Sequence, residues 1–186
     1  MIVVVIGGSG SGKSAYAEKC LLAMEAEKKH YIATMRVFDE EGEKRVEKHR
    51  TMRREKGFLT IEKPTDLGEI SLGAGDAWML ECVSNLLANE MFTEDGIRDE
   101  KETVDKILKD IGSLIEQTAD GVIVSNNIFE DGGNYDETMA SYIKALGCIN
   151  QALAAMADEV IEVVVGIPVT LKSKQEESEG GQICEK

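Results

Sequence analysis

Residues 2 to 14 join a short apolar run directly to a glycine-rich loop. The run Ile2–Ile6 is entirely β-branched, which favours a strand buried on both faces of a sheet. The loop Gly7–Ser14 reads GGSGSGKS and fits the pattern G-x-x-x-x-G-K-[S/T]. The composition of residues 14–29, rich in Ala, Leu, Glu and Lys, predicts a helix directly after the loop. Such a loop folds tightly enough for backbone N–H groups to surround phosphate oxygens.

This arrangement predicts a bound nucleoside triphosphate with Mg²⁺. Lys13 is predicted to reach the β- and γ-phosphates, and the Ser14 hydroxyl is predicted to bind the Mg²⁺ ion. The remaining predicted contacts in the loop are Gly7, Gly8, Ser9, Gly10, Ser11 and Gly12. A flexible turn that matches the pattern by chance is the alternative. The strand before the loop and the helix after it argue against that alternative.

A carboxylate at the end of a neighbouring buried strand is the expected partner of such a loop. The run 77–80 is predicted to be that strand, and Glu81 follows it directly. Glu81 can hold the metal, a water on the metal, or a nucleotide hydroxyl. The alternative is an ordinary polar strand end. Asp158 and Glu159 precede a strand and are therefore predicted to be surface charges at the opposite end of the sheet.

Strand and helix patterns alternate along the rest of the chain. This alternation predicts an α/β fold with a mostly parallel central sheet flanked by helices. Further strands are predicted at 31–34, 122–124, 160–165 and 169–171, and further helices at 39–56, 84–92, 101–118 and 135–157. We expect residues 1–171 to form a single nucleotide-binding domain and residues 172–186 a flexible tail.

Composition restricts the partners and the compartment. The formal net charge of -14 argues against general binding to nucleic acid or to membrane surfaces. No apolar run is long enough to span a bilayer, and the first run lacks the features of a signal peptide. Four cysteines without a C-x-x-C pair predict reduced thiols, mostly packed in the core: Cys20, Cys82, Cys148 and Cys184. These features predict a cytoplasmic protein.

One of the two histidines lies in a basic segment of this acidic chain. His49 is surrounded by six basic residues, Arg45, Lys48, Arg50, Arg53, Arg54 and Lys56. Cations disfavour the protonated imidazole, so His49 tends to remain neutral and nucleophilic, and the cations can neutralise phosphates. A solvated amphipathic helix explains the same segment equally well. His30 precedes a predicted strand and is expected to be structural or exposed.

Five segments in this order carry a resemblance to a known family. They read GGSGSGKSAYAEK, YIATMRVFDEE, RVEKHR, LECVSNLL and GCINQALAAMADEVIEVVVGIPVTLK. Together they resemble the bifunctional adenosylcobinamide kinase / adenosylcobinamide-phosphate guanylyltransferase family of adenosylcobalamin biosynthesis. The resemblance covers nearly the whole chain, except residues 90–102 and the tail.

The resemblance implies a P-loop NTPase-like α/β fold and two activities on a corrinoid substrate. The first phosphorylates the hydroxyl of the aminopropanol arm of adenosylcobinamide with GTP or ATP. The second transfers GMP from GTP to that phosphate through a covalent histidine-GMP intermediate, and the matching position is His49. Lys13 and His49 are the catalytic positions that follow. A small homo-oligomer, a trimer, is also implied.

The family's guanine-nucleotide contacts can be carried over by position. They fall on Gly7–Ser14, Ile32, Ala33, Thr34, Arg50, Thr51, Met52, Arg53, Glu62 and Glu81, with Ser14 and Glu81 at the metal. Glu62 lies in LTIEKP, where the match is loosest.

The chain departs from the family pattern at three places. Gly10 replaces a frequent arginine, Lys48 replaces the first of two adjacent histidines, and Asn127 stands at a glutamate position. Asn127 belongs to a divergent loop, residues 125–138, at the carboxyl end of a predicted strand. Two alternatives therefore stay open: a different small-molecule P-loop kinase, and a GTP-binding homologue that has lost corrinoid catalysis.

Overall fold

The computed structural model describes residues 1–36, 55–128 and 135–174. His49 and the predicted contacts Arg50, Thr51, Met52 and Arg53 lie outside the described residues, together with nearly all of the predicted helix 39–56. The predicted tail is described only as far as Lys174. The boundaries of the predicted domain stay a prediction.

Nine strands are described, seven of them in one sheet. In chain order they are β1 Ile2–Ile6, β2 Lys29–Ala33, β3 Leu59–Glu62, β4 Ala77–Glu81, β5 Phe92–Thr93, β6 Gly96–Ile97, β7 Asp120–Val124, β8 Glu159–Val164 and β9 Ile167–Lys172. The large sheet has the order β3-β2-β4-β7-β1-β8-β9, and β5 and β6 form a separate antiparallel hairpin. All strands of the large sheet run parallel except β9, which pairs antiparallel with β8.

The described α-helices are α1 Lys13–Ala23, α2 Val83–Met91, α3 Glu100–Gln117 and α4 Glu137–Met156, and a short 3-10 helix spans Leu67–Glu69. Aspartate N-caps start the two longest helices. The Asp99 side chain accepts a hydrogen bond from the Glu102 N–H, and Asp136 accepts one from the Met139 N–H. Each cap satisfies a backbone donor that has no partner within its helix.

Helices cover both faces of the sheet. On one face, Val3, Val5, Met79 and Val124 pack with residues of α1. On the other face, alternate residues such as Val4, Leu80 and Ile123 pack with residues of α2, α3 and α4. Because side chains alternate along a strand, the apolar runs of β1, β4 and β7 fill both cores. The predicted α/β fold with a mostly parallel sheet is confirmed.

Several predicted boundaries were wrong. The helix after the glycine-rich loop ends at Ala23, and β2 begins at Lys29. Glu25 and Glu27 follow the end of α1, where negative charge opposes the helix dipole. The last strand of the large sheet, β9, ends at Lys172.

The cysteine and histidine predictions had mixed outcomes. Cys82 is buried, but Cys20 is only half-buried and Cys148 is exposed, so the prediction of mostly packed cysteines was wrong for these two. His30 is structural as expected, because its Nε2 lies 2.9 Å from Asp76 Oδ2.

Asp158 is more than a surface charge. Its Oδ2 accepts a hydrogen bond from the Ile2 N–H at 2.8 Å. The Lys174 ammonium, followed by this N–H group, lowers the pKa of the Asp158 carboxyl. Asp158 therefore ties the start of β1 to the chain before β8.

A buried carboxylate joins α2 to α3 and to the β5-β6 hairpin. Glu90 is 1% exposed and pairs with Arg98 and with Lys106. It also accepts a hydrogen bond from the Asp66 N–H at 2.8 Å. A buried charge requires such partners, so these contacts fix the position of α2.

No helix in the three described stretches has the length and apolarity needed to cross a membrane.

The close contact between Gly121 and Trp78 predicts a strong steric effect. A Cβ atom at Gly121 would lie 2.6 Å from two carbons of the Trp78 indole, which is completely buried. We expect Gly121→Ala to lower the free energy of unfolding by about 1–3 kcal/mol, measured by urea denaturation. The matched control is Gly112→Ala in α3, where a Cβ meets nothing within 4 Å. We expect that variant to be neutral or up to about 1 kcal/mol more stable. Equal effects of the two substitutions would contradict the packing argument.

Candidate functional site

The glycine-rich loop turns tightly between β1 and α1. Gly12 has a φ of 91° and directly precedes α1, so this position requires the left-handed conformation that glycine readily adopts. At Gly7 the constraint is space, because a Cβ would lie 2.6 Å from Ser11 Oγ and 2.7 Å from the Val163 carbonyl oxygen. The loop is further held by the Gly166 N–H, which donates to the Ser11 carbonyl at 2.8 Å.

Lys13 and Ser14 occupy the first turn of α1 and face the loop and β4, respectively. The Lys13 ammonium donates to the Gly8 carbonyl at 3.2 Å, and its residue is only 8% exposed. The Ser14 hydroxyl donates to Glu81 Oε1 at 2.7 Å. A cation, a hydroxyl and a carboxylate thus converge at the N-terminus of a helix, which favours the binding of anions.

Strand register explains why Glu81 reaches Ser14. Glu81 pairs with Ala33 of β2 and with Val124 of β7, and Val124 pairs with Val5 of β1. These residues form one row at the carboxyl edge of the sheet. The expectation that the carboxylate strand neighbours the loop strand was wrong, since β7 lies between β1 and β4. The two strands are therefore about 10 Å apart, and the Glu81 side chain spans toward α1.

Glu62 belongs to the same row. It pairs with Ala33, so it lies two strands from Glu81, about 10 Å away. Residues in register on parallel strands project to the same face, and the Glu62 side chain is exposed. Glu62 therefore lies on the edge strand β3, at the same carboxyl edge of the sheet as Glu81 but farther from Lys13 and Ser14.

The predicted nucleotide contacts Ile32, Ala33 and Thr34, at the end of β2, have different environments. Ile32 is fully buried with its side chain in the core on the α2–α4 face, whereas Ala33 belongs to the core on the α1 face. Thr34 is fully buried, and its backbone N–H donates to the Glu81 carbonyl at 2.9 Å. Of these residues, Ala33 lies on the α1 face, next to Glu81 in the row.

The Thr34 hydroxyl holds the chain just after Glu81. It accepts from the Cys82 N–H at 2.8 Å and lies 3.0 Å and 2.9 Å from the carbonyl oxygens of Glu81 and Cys82. The peptide bond between Glu81 and Cys82 is cis. Thr34 therefore orients the main chain that carries the Glu81 carboxylate.

Sequence reasoning missed the role of Asn89. From α2, its Nδ2 donates to the Thr34 carbonyl at 2.7 Å and to the Pro64 carbonyl at 3.0 Å. It thereby joins the chain after β2 to the chain after β3. A polar residue in the apolar helix sequence VSNLLANEM was the available signal.

Three polar residues, Ser125, Asn126 and Asn127, follow β7 near the glycine-rich loop. The Asn127 N–H donates to the Gly7 carbonyl at 3.1 Å, and Asn127 Nδ2 donates to Glu162 Oε1 at 3.2 Å. The Ser125 hydroxyl donates to Asn150 Oδ1 at 2.6 Å, and Asn126 Nδ2 donates to Ser84 Oγ at 2.5 Å. The Asn127 N–H thus joins segment 125–127 to the glycine-rich loop, and the side-chain contacts join it to β8, α4 and α2.

Burial raises the pKa of two ionisable groups near the site. Burial raises the pKa of the Cys82 thiol, and the hydrogen bond with Ser84 opposes this only in part. Burial, with a smaller contribution from Cys82, raises the pKa of Tyr142 to about 12. The Tyr142 hydroxyl donates to the Ser84 carbonyl at 3.0 Å. Neither group is ionised at neutral pH, and the Tyr142 hydrogen bond links α4 to the first turn of α2.

The donor set beside the loop suits Mg²⁺. The Ser14 hydroxyl and the Glu81 carboxylate are hard oxygen ligands, and they lie within 2.7 Å of each other. In the described part of the chain, no group of three or more His, Cys, Asp or Glu side chains is placed to hold a metal ion. A metal at Ser14 and Glu81 therefore needs further oxygens from a nucleotide and from water.

Comparison with known proteins adds a family assignment to this geometry. Among solved structures, the chain is similar to the flagellar accessory protein FlaH from Methanocaldococcus jannaschii, with 12% identity, a TM-score of 0.46, and coverage of 92% of this chain and 78% of that chain. It is 33% identical over 184 residues to the bifunctional adenosylcobalamin biosynthesis protein CobU of Escherichia coli (strain K12), and 30% identical over 184 residues to the protein of the same description from Salmonella typhimurium (strain LT2). Each of these two matches covers 92% of this chain and 100% of the relative.

The sequence model of one family, described as cobinamide kinase / cobinamide phosphate guanyltransferase, matches residues 3–171. This range begins in β1 and ends in β9, so it includes the phosphate loop, Glu81 and the segment after β7. The chain therefore belongs to the cobinamide kinase / cobinamide phosphate guanyltransferase family of enzymes.

Proposed function

We propose that this protein phosphorylates adenosylcobinamide and then transfers GMP from GTP to the product. The observation that carries the proposal is the hydrogen bond between Ser14 and Glu81 beside the buried Lys13, in a chain of this family. It supports a site for a nucleoside triphosphate with its metal. The comparisons support the corrinoid as the acceptor, since both relatives are described as adenosylcobalamin biosynthesis proteins.

The phosphate loop binds the triphosphate through backbone N–H groups and Lys13. The Lys13 ammonium, now on the Gly8 carbonyl, has only to exchange this neutral acceptor for phosphate oxygens. Ser14 and Glu81 would hold Mg²⁺, which neutralises charge that develops on the phosphates. Because Lys13 is already buried, the exchange strengthens its interactions without a large new desolvation cost.

In the kinase step, the hydroxyl of the aminopropanol arm attacks the γ-phosphorus of GTP or ATP. A bond forms between that oxygen and the γ-phosphorus, and the bond from the γ-phosphorus to the bridging oxygen breaks. The nucleoside diphosphate leaves with the electron pair, and the hydroxyl proton is released to solvent. Lys13 stabilises the charge of the transferring phosphoryl group.

In the guanylyltransferase step, His49 is the proposed nucleophile. Its imidazole nitrogen bonds to the α-phosphorus of GTP, and pyrophosphate leaves with the electron pair of the broken phosphorus–oxygen bond. An oxygen of adenosylcobinamide phosphate then bonds to the same phosphorus. The phosphorus–nitrogen bond breaks, its electrons return to the imidazole, and adenosylcobinamide-GDP forms.

The constraint at Gly7 predicts a selective loss of nucleotide affinity. In Gly7→Ala the new Cβ overlaps the Val163 carbonyl, so the loop must move and its N–H groups lose their alignment. We expect the dissociation constant for GTP to rise by at least about tenfold. Gly8→Ala adds the same methyl group where nothing lies within 4 Å, and should cause a clearly smaller loss. Titration with a fluorescent GTP analogue measures both, and equal losses would contradict the steric argument.

The predicted metal ligands can be tested by removing the metal. We expect Mg²⁺ to tighten GTP binding by the wild-type protein, and Ser14→Ala to lose most of this gain because one of its protein ligands is missing. Binding in EDTA should be similar for the two proteins. Calorimetric titration with Mg²⁺ and with EDTA checks this. The metal assignment fails if Ser14→Ala weakens binding equally in both conditions.

The covalent step predicts labelling of a single histidine. Incubation with GTP labelled at the α-phosphorus should give an acid-labile labelled protein, whereas a γ-phosphorus label should not remain on it. His49→Ala should abolish the labelling and retain corrinoid phosphorylation. The control is His30→Gln, because His30 is bound to Asp76 near the opposite end of β2 and should not affect labelling.

The same experiment separates the alternatives. Phosphorylated corrinoid without labelled wild-type protein would favour a plain P-loop kinase. GTP binding without pyrophosphate release or phosphorylated corrinoid would favour a homologue that has lost catalysis. The replacement of a glutamate by Asn127, next to Gly7, is the observation that keeps the latter alternative open.

A further inference from the structure

A cavity of about 360 Å³ lies beside the phosphate loop, at the carboxyl edge of the sheet. Its lining comes from the end of β1, the segment after β7, and α4: Ile6, Asn126, Asn127, Gly147, Asn150 and Gln151. The cavity adjoins the loop directly because the Asn127 N–H donates to the Gly7 carbonyl at 3.1 Å. Ligands of open α/β sheets bind at this edge.

The lining is rich in carboxamides. Two asparagines follow β7, and Asn150 and Gln151 project from one turn of α4. A carboxamide offers both hydrogen-bond donors and an acceptor, and it carries no charge. This chemistry suits a neutral ligand that itself contains amide and hydroxyl groups.

Two of these amides are held in fixed orientations. Asn150 accepts from the Ser125 hydroxyl at 2.6 Å and donates to the Asn126 carbonyl at 3.3 Å. Asn126 donates through Nδ2 to Ser84 Oγ, while its buried Oδ1 has no hydrogen-bond partner among the described residues. A residue that lines the cavity thus has an acceptor oxygen whose hydrogen-bonding capacity is unused.

Gln151 differs from these amides because it is exposed. Its side chain makes no hydrogen bond with the rest of the described chain, so it is available to a ligand at the mouth of the cavity. It can therefore be replaced with little risk to folding.

We propose that this cavity binds the amide-linked hydroxyalkyl arm of the acceptor. The inference rests on the proposed function and specifies which part of the corrinoid enters the site. In adenosylcobinamide the acceptor hydroxyl belongs to an aminopropanol group joined through an amide to the corrin ring. The cavity volume is at the lower end of the range for small-ligand pockets, so it accommodates the arm while the ring remains outside.

The position of the cavity suits the acceptor substrate better than it suits the base of the nucleotide. Lys13, Ser14 and Glu81 meet on the α1 side of the sheet edge, whereas Ile6 packs against the core on the α2–α4 face. The arm would thus approach the phosphate loop from the opposite side to α1. Holding its amide would place the adjoining hydroxyl near the phosphates, which is the positioning a transfer reaction requires.

The test compares Gln151→Leu, which keeps a similar volume but removes the carboxamide, with the wild-type enzyme. We expect KM for adenosylcobinamide to rise by about three- to tenfold, the loss of one hydrogen bond, with KM for GTP and kcat within about twofold. The matched control is Cys148→Ser, an exposed neighbour on α4 that does not line the cavity, and it should leave all three values unchanged. Circular dichroism verifies that both variants are folded.

The experiment distinguishes failure of the cavity assignment from failure of the proposed function. An unchanged KM for adenosylcobinamide in Gln151→Leu overturns the inference, and a rise in KM for GTP alone shows that the cavity holds the base instead. If the wild-type protein phosphorylates no corrinoid, the proposed function fails. The cavity is then tested with N-(2-hydroxypropyl)acetamide, the arm alone, by saturation-transfer NMR. Binding to the wild type that is lost in Gln151→Leu supports the cavity assignment, and no binding overturns it.

Discussion

In-register pairing of four parallel strands is the constraint on which the rest of this structure depends. Ala33, Glu81, Val124 and Val5 lie in one row across β2, β4, β7 and β1. A shift of one residue in β4 would turn Glu81 away from α1, because successive side chains point to opposite faces. The apolar residues on both faces of β4 make such a shift costly, so core packing specifies the position of a half-buried carboxylate.

Hydrogen bonds and ion pairs of neighbouring residues hold this row of residues in place. The Thr34 hydroxyl fixes the main chain after Glu81, and Asn89 ties the Thr34 carbonyl to the loop after β3. Glu90, the next residue in α2, anchors that helix through Arg98 and Lys106. The charged contacts of α2 therefore act on the site indirectly, by keeping Asn89 where both carbonyls can be reached.

Local patterns in the sequence predicted the parts of the site that are contiguous or purely apolar. The loop Gly7–Ser14, the strand before it and the position of Glu81 followed from residue types alone. The edge strand β3 was missed because its residues are only partly buried and show no continuous apolar run. The position of β7 between β1 and β4 was also missed, since strand order is decided by long-range packing.

The amide-lined cavity could not be predicted for a related reason. Asn127 and Gln151 are 24 positions apart in the sequence, and α4 brings them together only when it packs on the sheet. The sequence of α4 indicated a helix but not which polar residues would face β7. Asn127 was recognised as a departure from the family pattern, and the structure adds its contact with Gly7.

Gly7 also couples the glycine-rich loop to the segment after β7. One side of this residue is closed by Ser11 and the Val163 carbonyl, and its own carbonyl is held by the Asn127 N–H. A change in the segment after β7 can therefore reach the glycine-rich loop through this hydrogen bond. The backbone of the segment after β7 is therefore constrained by the glycine-rich loop, whereas the exposed side chain of Gln151 in α4 is not held in this way.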